Sequence, residues 1–518
     1  MKATLLLRRG LGWLRRPRAL PAKLRRTLRQ WRNVPRYRTA LARGELLVEA
    51  GPLPGHGLIT VVMPVFRVAE AHLRAALASV AAQSWPHWEL VIVDDAAPEP
   101  HVGRVLADVV ADPRVRVVRR AANGGISVAS NDAVAHACGE FVAFLDHDDE
   151  LHPRALELAA RFLAAHPATD WLFTDEDKID RLGRHTDPIL KPGWSRHLLL
   201  GCNIASHLRV VRREAIVRVG GHRPAFDGAQ DYDLALRVLA AGGRFGYLPG
   251  PLYHWRTAPG SMAGVGGAKA AANRRALAAL AEHARAFPRG GDVTAQVLAP
   301  GASLFRVRRA PDPQLRLALV SPAGAAPGAL PPDRSARLAV AGSSPAALVI
   351  AARASDADVV LVPPPSGFSH SELAELLALL QVPGTAAASG WLVAGRRVVA
   401  SGWVLGDDGA LLDPWRGLRT SDPGYLNFAL LPARRLVPPP SGWAAWRREL
   451  VAAWDEAGDV PEAWRLAAGW HRLGLDVVSS PDARWRRVGP GPRQPDDPPP
   501  TELPHVDVAR LALIGALP

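Results

Sequence analysis

From residue 58 the chain repeats one alternation: a short apolar, β-branched run, then a stretch with apolar residues every three or four positions. Leu58 to Phe66 (LITVVMPVF) is the first such run, apolar and β-branched, and reads as a strand. The spacing that follows predicts a helix over Ala69 to Gln83, a strand over Glu89 to Asp94 and a helix over Val102 to Ala111. A strand over Val115 to Arg119, a helix over Ile126 to Ala137 and a strand over Glu140 to Asp146 continue the series. The next helix is expected from Pro153 to Ala165, proline being suited to a first helical turn. This β-α-β repetition predicts an α/β fold with a mostly parallel sheet and helices on both faces. Ligands in such sheets bind beyond the carboxyl ends of the strands, where Asp94 and Asp146 are both expected.

Between residues 176 and 265 the periodicity weakens and Trp, His, Asp and Gly become frequent, so this stretch reads as an extension of the same domain. An Ala-rich helix from Ala268 to Ala286 is expected to close it. From about residue 311 the composition shifts to Pro, Ala and Val, and a second α/β unit is expected over 311–488. The expected division is an arm at 1–50, a first domain at 51–290, the second unit, and a Pro-rich tail at 489–518. The last apolar segment, Val506 to Leu517, is expected to dock as a helix.

Composition and charge refine this picture at one end of the chain. A length of 518 residues suits two or three domains, and 48% hydrophobic with 22% charged residues is globular composition. The net charge of +14 matches the fourteen Lys and Arg of residues 1–44, a stretch with no acid, so the remainder is formally neutral. No nucleic-acid-binding motif accompanies these cations, so nucleic acid is not expected as a partner. Leu5 to Leu7 is too short for the apolar region of a secretory signal. Leu20, Leu24, Leu28 and Trp31 recur at helical spacing among arginines, with Trp13 and Leu14 as further apolar anchors. That pattern suits a basic amphipathic arm on an anionic membrane surface; a solvated tail is the competing reading. No run of eighteen apolar residues exists, so no span is expected. The two cysteines, Cys138 and Cys202, cannot build a disulfide framework and are expected to be buried thiols in a reducing compartment.

The candidate chemistry lies on the strand ends. Asp146-His147-Asp148 places two carboxylates at i and i+2 after the strand EFVAFL, with Asp149 beside them. Hard divalent cations prefer such oxygens, and a cation there could neutralise a leaving diphosphate. Asp94 and Asp95, after ELVIV, can hydrogen-bond a base or ribose hydroxyls, or cap the next helix. In Asn123-Gly124-Gly125-Ile126-Ser127 the glycines allow close backbone approach, or simply a turn before a helix. Asp231 is the candidate general base, whereas Asp233 and Arg237 are spaced as a structural i,i+4 pair. His254 can complete a cation site opposite Asp148, and Arg256 can face phosphate.

Taken together, ITVVMPVF (59–66), SVAAQSWPHWELVIVDD (79–95), NGGIS (123–127), FLDHDDELHP (144–153), TDEDKID (174–180), KPGWS (191–195), GAQDYDLALR (228–237) and YHWR (253–256) resemble a family 2 inverting glycosyltransferase of the GT-A fold. Within that family they are similar to the subgroup that builds bacterial surface polysaccharides, rhamnosyltransferases among them. The resemblance implies a Rossmann-like catalytic domain and displacement with inversion. It implies a UDP-, dTDP- or GDP-linked sugar donor, a glycan or lipid-linked acceptor, and Mg²⁺ or Mn²⁺. By the same resemblance, Pro64 and Val65 with Asp94 or Asp95 hold the nucleoside, and Gly124 lies at the donor. Asp146 contacts ribose or metal-bound water, Asp148 ligates the cation with His254 as a further ligand, Lys191 and Trp194 lie near a sugar, and Asp231 is the base. PVF-Arg in place of PVYN, and QD in place of ED before the base, depart mildly from the family pattern. The QxxRW signature of processive members is not visible, which points to single additions. The implied location is cytoplasmic, peripheral on the inner membrane face. The competing class is a non-catalytic glycan-binding or scaffold protein of the same pathway; a sugar nucleotidyltransferase would need a Gly-rich phosphate loop that ITVVMPVFRVAE lacks.

The second unit suggests an internal repeat. At a constant offset of 217, FVAFL matches DVVLV and Leu156 matches Leu373, while Pro363, Pro365 and Ser366 fall opposite Asp146, Asp148 and Asp149. A second anchor pairs Trp255 with Trp485, setting Pro461 opposite Asp231 and Arg484 opposite His254. Residues 311–488 are therefore expected to be either a degenerate GT-A-like unit or an unrelated α/β domain.

Overall fold

A computed structural model describes residues 34–49, 51–55, 57–257, 267–286, 293–297 and 303–321. In the second half it describes 335–339, 356–362, 369–383, 385–394, 396–400, 404–406, 411–412, 433–435, 444–447, 476–486 and 505–506. Of the arm, residues 1–33 lie outside the described residues, and 34–42 form helix α1. Tyr37, Ala40 and Leu41 of α1 pack with Leu46 and Leu190, which fixes this helix to the first domain. Among the described residues, no helix is long and apolar enough to cross a membrane.

The first domain is a nine-stranded sheet with helices on both faces. Its strands are β1 (Ile59–Val65), β2 (Trp88–Asp94), β3 (Val115–Arg119), β4 (Phe141–Phe144), β5 (Glu150–Leu151), β6 (Trp171–Ile179), β7 (His185–Ile189), β8 (Arg209–Arg212) and β9 (Phe245–Arg256). The helices are α2 (Glu70–Ala81), α3 (Pro100–Val109), α4 (Ile126–Ala135), α5 (Ala155–Ala165), α6 (Arg196–Gly201), α7 (Arg213–Arg218), α8 (Gln230–Ala240) and α9 (Gly267–Arg285). The strand order is β3-β2-β1-β4-β8-β6-β9-β5, with β7 beside β6. β1 to β4 run parallel, β8 is antiparallel to β4 and β6, and β6 and β9 are again parallel. Alternation along the strands divides the core. Val62, Val91, Val93 and Phe144 pack on one face with Ala129 and Ala133 of α4, while Val61, Met63, Leu90 and Ile92 pack on the other with Leu73, Ala76 and Val80 of α2. This is the mixed α/β architecture of the GT-A fold.

The elements expected before residue 165 lie within a few residues of those observed. Four strands in or bordering the weakly periodic stretch were not foreseen: β6, β7, β8 and the twelve-residue β9. The polar residues Asp175, Glu176 and Asp177 of β6 are all buried, so apolar alternation is blind to this strand. Cys202 is buried as expected, but Cys138 is exposed. It sits in the turn before β4, where Gly139 next to it is the residue packed tightly against Leu58 and Thr60.

The second half opens with the antiparallel pair β10 (Val293–Val297) and β11 (Phe305–Arg309). Then follow β12 (Leu317–Ser321), β13 (Ser335–Ala339), β14 (Val359–Val362), helix α10 (His370–Leu380), β15 (Thr385–Ala394), β16 (Arg397–Ala400), β17 (Val404–Gly406), β18 (Leu411–Leu412), β19 (Ala433–Arg435), β20 (Ala444–Arg447), β21 (Asp476–Arg486) and β22 (His505–Val506). Strands β1, β2, β4, β6, β8 and β9 have counterparts in β12, β13, β14, β15, β20 and β21, in the same chain order. β13 and β14 flank β12 in parallel, as β2 and β4 flank β1. β20 is antiparallel to β14 and β15, as β8 is to β4 and β6. β21 is parallel to β15, and β16 turns back against β15, as β9 and β7 do on β6. The two sequence anchors fall on β4 with β14 and on β9 with β21, where Trp255 and Trp485 are the register partners of Lys178 and Leu392 on the adjacent strand. Of the expected terminal helix, Val506 lies in β22; the rest, like the tail Gly489 to Pro504, is outside the described residues.

Candidate active site

The acidic turn is built where β4 ends. Leu145 N–H still donates to Val62 O at 3.1 Å, and Asp149 N–H closes the turn on Asp146 O at 3.1 Å. His147 Nδ1 lies 2.9 Å from Pro64 O, tying the turn to the end of β1. The three acids differ in role. Asp149 is fully buried; it accepts from Arg256 N–H at 2.7 Å and from the Tyr253 hydroxyl at 2.7 Å. Burial, with Asp146 and Asp148 beside it, holds its carboxyl well above the usual carboxylate range. Asp149 is thus the bolt that fastens the turn to β9. Arg256 adds a bond from Nε to Asp148 O at 2.8 Å and an ion pair with Glu150. Replacing Tyr253 by Phe strips a donor from a buried carboxyl and is expected to cost about 1–3 kcal/mol of stability, read from urea unfolding.

Asp146 and Asp148 are half-buried. Among the described residues neither has an ion-pair partner. Burial, reinforced by the charge of Asp146, pushes the Asp148 carboxyl above its ordinary range. Two crowded carboxylates with no fixed counter-charge fit an oxygen-seeking divalent cation. His72, in the first turn of α2, lies within electrostatic reach of Asp148, Glu150 and Arg256. No strand-end signal marks this residue in the sequence.

Asp94 and Asp95 separate in the same way. Asp94 caps the loop by accepting from Ala97 N–H at 2.9 Å. Asp95 turns inward, accepting from Gly124 N–H at 2.8 Å, Gly125 N–H at 2.9 Å and Asn123 Nδ2 at 2.9 Å, and pairing with Arg120 at 2.9 Å. Its N–H donates to Val65 O at 3.0 Å. The carboxylate of Asp95 therefore shapes the loop instead of facing a ligand. Gly125 has φ +86°, and a Cβ there would lie 2.5 Å from Asp227 Oδ2. Gly125→Ala is expected to lower stability by about 1–3 kcal/mol, measurable by thermal or urea unfolding.

Asp231 stands in the first turn of α8 and is half-buried. Asn203 Nδ2 donates to its Oδ2 at 2.8 Å, and Arg209 Nη1 lies 4.0 Å away. Arg209 comes from β8 and stacks over Phe144 of β4 at 4.5 Å, linking Asp231 to the strand that carries the acidic turn. Asn203 Oδ1 and Arg209 Nε are buried without a protein partner, which suits a pocket that receives a polar ligand. Asp233 is instead taken up by Arg237 at 2.7 Å and by Arg223, the structural role expected of it.

Residues 60–219 match the sequence model described as glycosyl transferase family 2. This segment is a family 2 glycosyltransferase domain. The chain is 41% identical over 275 residues to the protein y4gI of Sinorhizobium fredii, covering 52% of this chain and 28% of that protein. It is 39% identical over 252 residues to the O-antigen biosynthesis protein RfbC of Myxococcus xanthus, covering 48% and 20%. It is 28% identical over 192 residues to the chondroitin synthase of Pasteurella multocida, covering 37% and 20%. The chain thus spans between a fifth and three-tenths of the length of these relatives.

Several residues expected at the donor are engaged elsewhere in the family 2 domain. The Lys191 ammonium is buried, donating to His207 O at 2.7 Å and lying 4.0 Å from Glu176. Burial lowers its proton affinity, with Glu176 and Asp175 working against that. Trp194 stacks on Phe245 at 4.4 Å and packs on the core. The His254 imidazole turns to β6, where Nδ1 meets Asp177 Oδ1 at 2.7 Å, because Asp177 and His254 face each other across adjacent strands. His222 packs edge-on against Phe144, and burial with nearby Arg209 lowers it to about 3 from 6.5. An imidazole kept neutral by the fold takes its proton only in the unfolded chain. Its contribution is fully present above pH 6.5 and is lost as pH falls toward 3. Between pH 7 and pH 5 the stability of His222→Leu is expected to fall by about 2 kcal/mol less than that of the unaltered chain in paired urea titrations.

Proposed function

We propose that the chain is an inverting, hexosyl-type glycosyltransferase of cell-surface polysaccharide synthesis. It moves a sugar from a UDP-, dTDP- or GDP-linked donor to a hydroxyl of a glycan or lipid-linked glycan. The observation that carries this reading is the turn from Asp146 to Asp149, two half-buried carboxylates at the sheet edge held in place by a third that is fully buried. Mg²⁺ or Mn²⁺ held by Asp146 and Asp148 would supply positive charge to the leaving diphosphate. Pro64, Val65, Asp94 and the Gly124 loop form the nucleoside shelf, with Asp95 as its internal brace. Asp231 takes the proton of the acceptor hydroxyl as that oxygen bonds to the anomeric carbon. The bond from that carbon to the phosphate oxygen breaks on the opposite face, its electron pair leaving with the nucleoside diphosphate. Relatives named for O-antigen and chondroitin synthesis support a polysaccharide product.

The second unit is read as a degenerate GT-A-like copy that binds glycan or serves as scaffold. Its support is the repeated strand pairing, and at the sequence level Pro363 and Pro365 stand where Asp146 and Asp148 do. One active site is therefore expected per chain. The basic arm would hold the enzyme on the inner face of the cytoplasmic membrane, beside a lipid-linked acceptor. Removing residues 1–33, which leaves α1 docked, is expected to abolish co-sedimentation with anionic vesicles at low salt; unchanged pelleting would remove the arm as anchor. The main reading is tested by incubating the purified chain with UDP-, dTDP- and GDP-sugars and Mn²⁺ or Mg²⁺. Cation-dependent release of one nucleoside diphosphate is expected. The absence of release from all three donor classes, with acceptor glycans supplied, would refute it.

A further inference from the structure

On the far side of β9 from Tyr253 and Asp149, three neighbouring strands converge on one carboxylate. Asp177 of β6 is fully buried. His254 of β9 reaches its Oδ1 with Nδ1 at 2.7 Å, and His185 of β7 reaches its Oδ2 with Nδ1 at 3.0 Å. The two imidazoles meet edge to face, with ring centres 4.4 Å apart. One donor atom from each of the three residues falls within 4.8 Å of the others; among the described residues no other group of three or more His, Cys, Asp or Glu does so. The cluster opens on a cavity of about 740 Å³, lined also by His152 and by Arg38, Thr39 and Arg43 around α1. Tyr37 of α1 donates its hydroxyl to Asp177 Oδ2 at 2.6 Å.

We propose that Asp177, His185 and His254 form a second metal site, separate from the acidic turn, for a borderline-soft divalent ion of the Zn²⁺ class. The donor set decides the class. Two imidazoles and one carboxylate suit Zn²⁺, Co²⁺ or Ni²⁺, whereas the all-oxygen turn suits Mg²⁺ or Mn²⁺. Ligand atoms around a tetrahedral ion with bonds of about 2.0–2.1 Å stand about 3.3 Å apart. The observed 2.7 and 3.0 Å pairs would need to open by about 0.6 and about 0.3 Å to reach that spacing, and the three ligand atoms already lie within 4.8 Å of one another. Three protein ligands leave a fourth position, and the cavity gives it a route to solvent. His152, whose ring centre is 6.1 Å from that of His254, is a further imidazole on the same cavity. Because α1 lies against the same carboxylate, metal binding would also clamp the helix that follows the basic arm.

The test needs no donor or acceptor, so it stands or falls apart from the glycosyltransferase reading. Tag-free, metal-stripped full chain is titrated with Co²⁺ alone and followed by visible absorption. One equivalent is expected to give the intense bands of a four- or five-coordinate nitrogen–oxygen site, displaced by Zn²⁺ and not by excess Mg²⁺. His185→Ala should weaken binding by at least about 100-fold, a first-sphere loss exceeding outer-shell effects. Asp148→Ala should leave the bands intact. His185→Cys should retain them and add a thiolate-to-cobalt charge-transfer band, which separates ligand loss from misfolding. Absence of the bands in the unaltered chain, their survival in His185→Ala, or their loss in Asp148→Ala would each overturn the proposal.

Discussion

Asp148→Ala is expected to lower cation-dependent turnover of the nucleotide-sugar donor by about a thousandfold, the scale of several kcal/mol of charge stabilisation at the leaving group. The fold should survive the change. Asp148 is half-buried, and it is Asp149, not Asp148, whose side chain accepts the bonds that fasten the turn to β9. Removing one of two crowded carboxylates even relieves repulsion on its neighbours, since Asp148 is among the groups that push up Asp149. Unfolding curves should therefore be unchanged or slightly improved while turnover collapses. Turnover unchanged by the substitution would place the cation elsewhere. Asp149→Ala should behave in the opposite way, losing stability first, because Arg256 N–H and the Tyr253 hydroxyl would lose their acceptor.

Asp231→Asn should leave donor binding intact and slow transfer by about 10²–10⁴-fold, the usual worth of a positioned base. The amide is close to isosteric and can keep the contact with Asn203 by presenting its oxygen to Nδ2. What it cannot do is accept the acceptor's proton. A KM for donor within a factor of about two and a much reduced kcat would separate this from misfolding. Transfer at the normal rate would show that the proton leaves by another path. The family 2 match ends at residue 219, short of Asp231, so this assignment rests on the surroundings of the carboxylate itself.

The half of the sheet from β1 to β4 was legible because β1 and β4 are almost wholly apolar, β2 and β3 are rich in valine, and its helices keep a regular stripe. The other half hid because β6 buries acids. Asp175, Glu176 and Asp177 are satisfied by Tyr247 and the backbone at Lys191 and Gly250, by His207, and by His185, His254 and Tyr37. Those partners come from five distant segments, and no local pattern announces them. The acids of the turn were visible, but their division of labour was not. Which of the three turn acids is buried depends on the register of β9, three strands from β4 in the sheet order, and Tyr253 lies 104 residues after Asp149 in the chain. The sequence suggests His254 as a cation ligand beside the acidic turn, and only the pairing of β9 with β6 reveals its 2.7 Å contact with Asp177.

The matched strand pairing of the two halves has a consequence for how the chain folds. Two sheets with the same order and direction of strands offer each other's edges as partners, and exchange of elements between like units is a common route to misassembly in repeat proteins. A strand such as β14 could in principle be received by the first sheet in the position of β4. Divergence is the safeguard. The short β14 is followed at once by Pro363, Pro364 and Pro365, which at the offset of 217 stand opposite Asp146, His147 and Asp148. Proline opposite Asp146 has no N–H to donate, whereas Asp146 N–H donates to the Tyr253 hydroxyl oxygen at 3.2 Å. The loss of the acids from the second unit thus makes that unit a poor impostor for the first during folding.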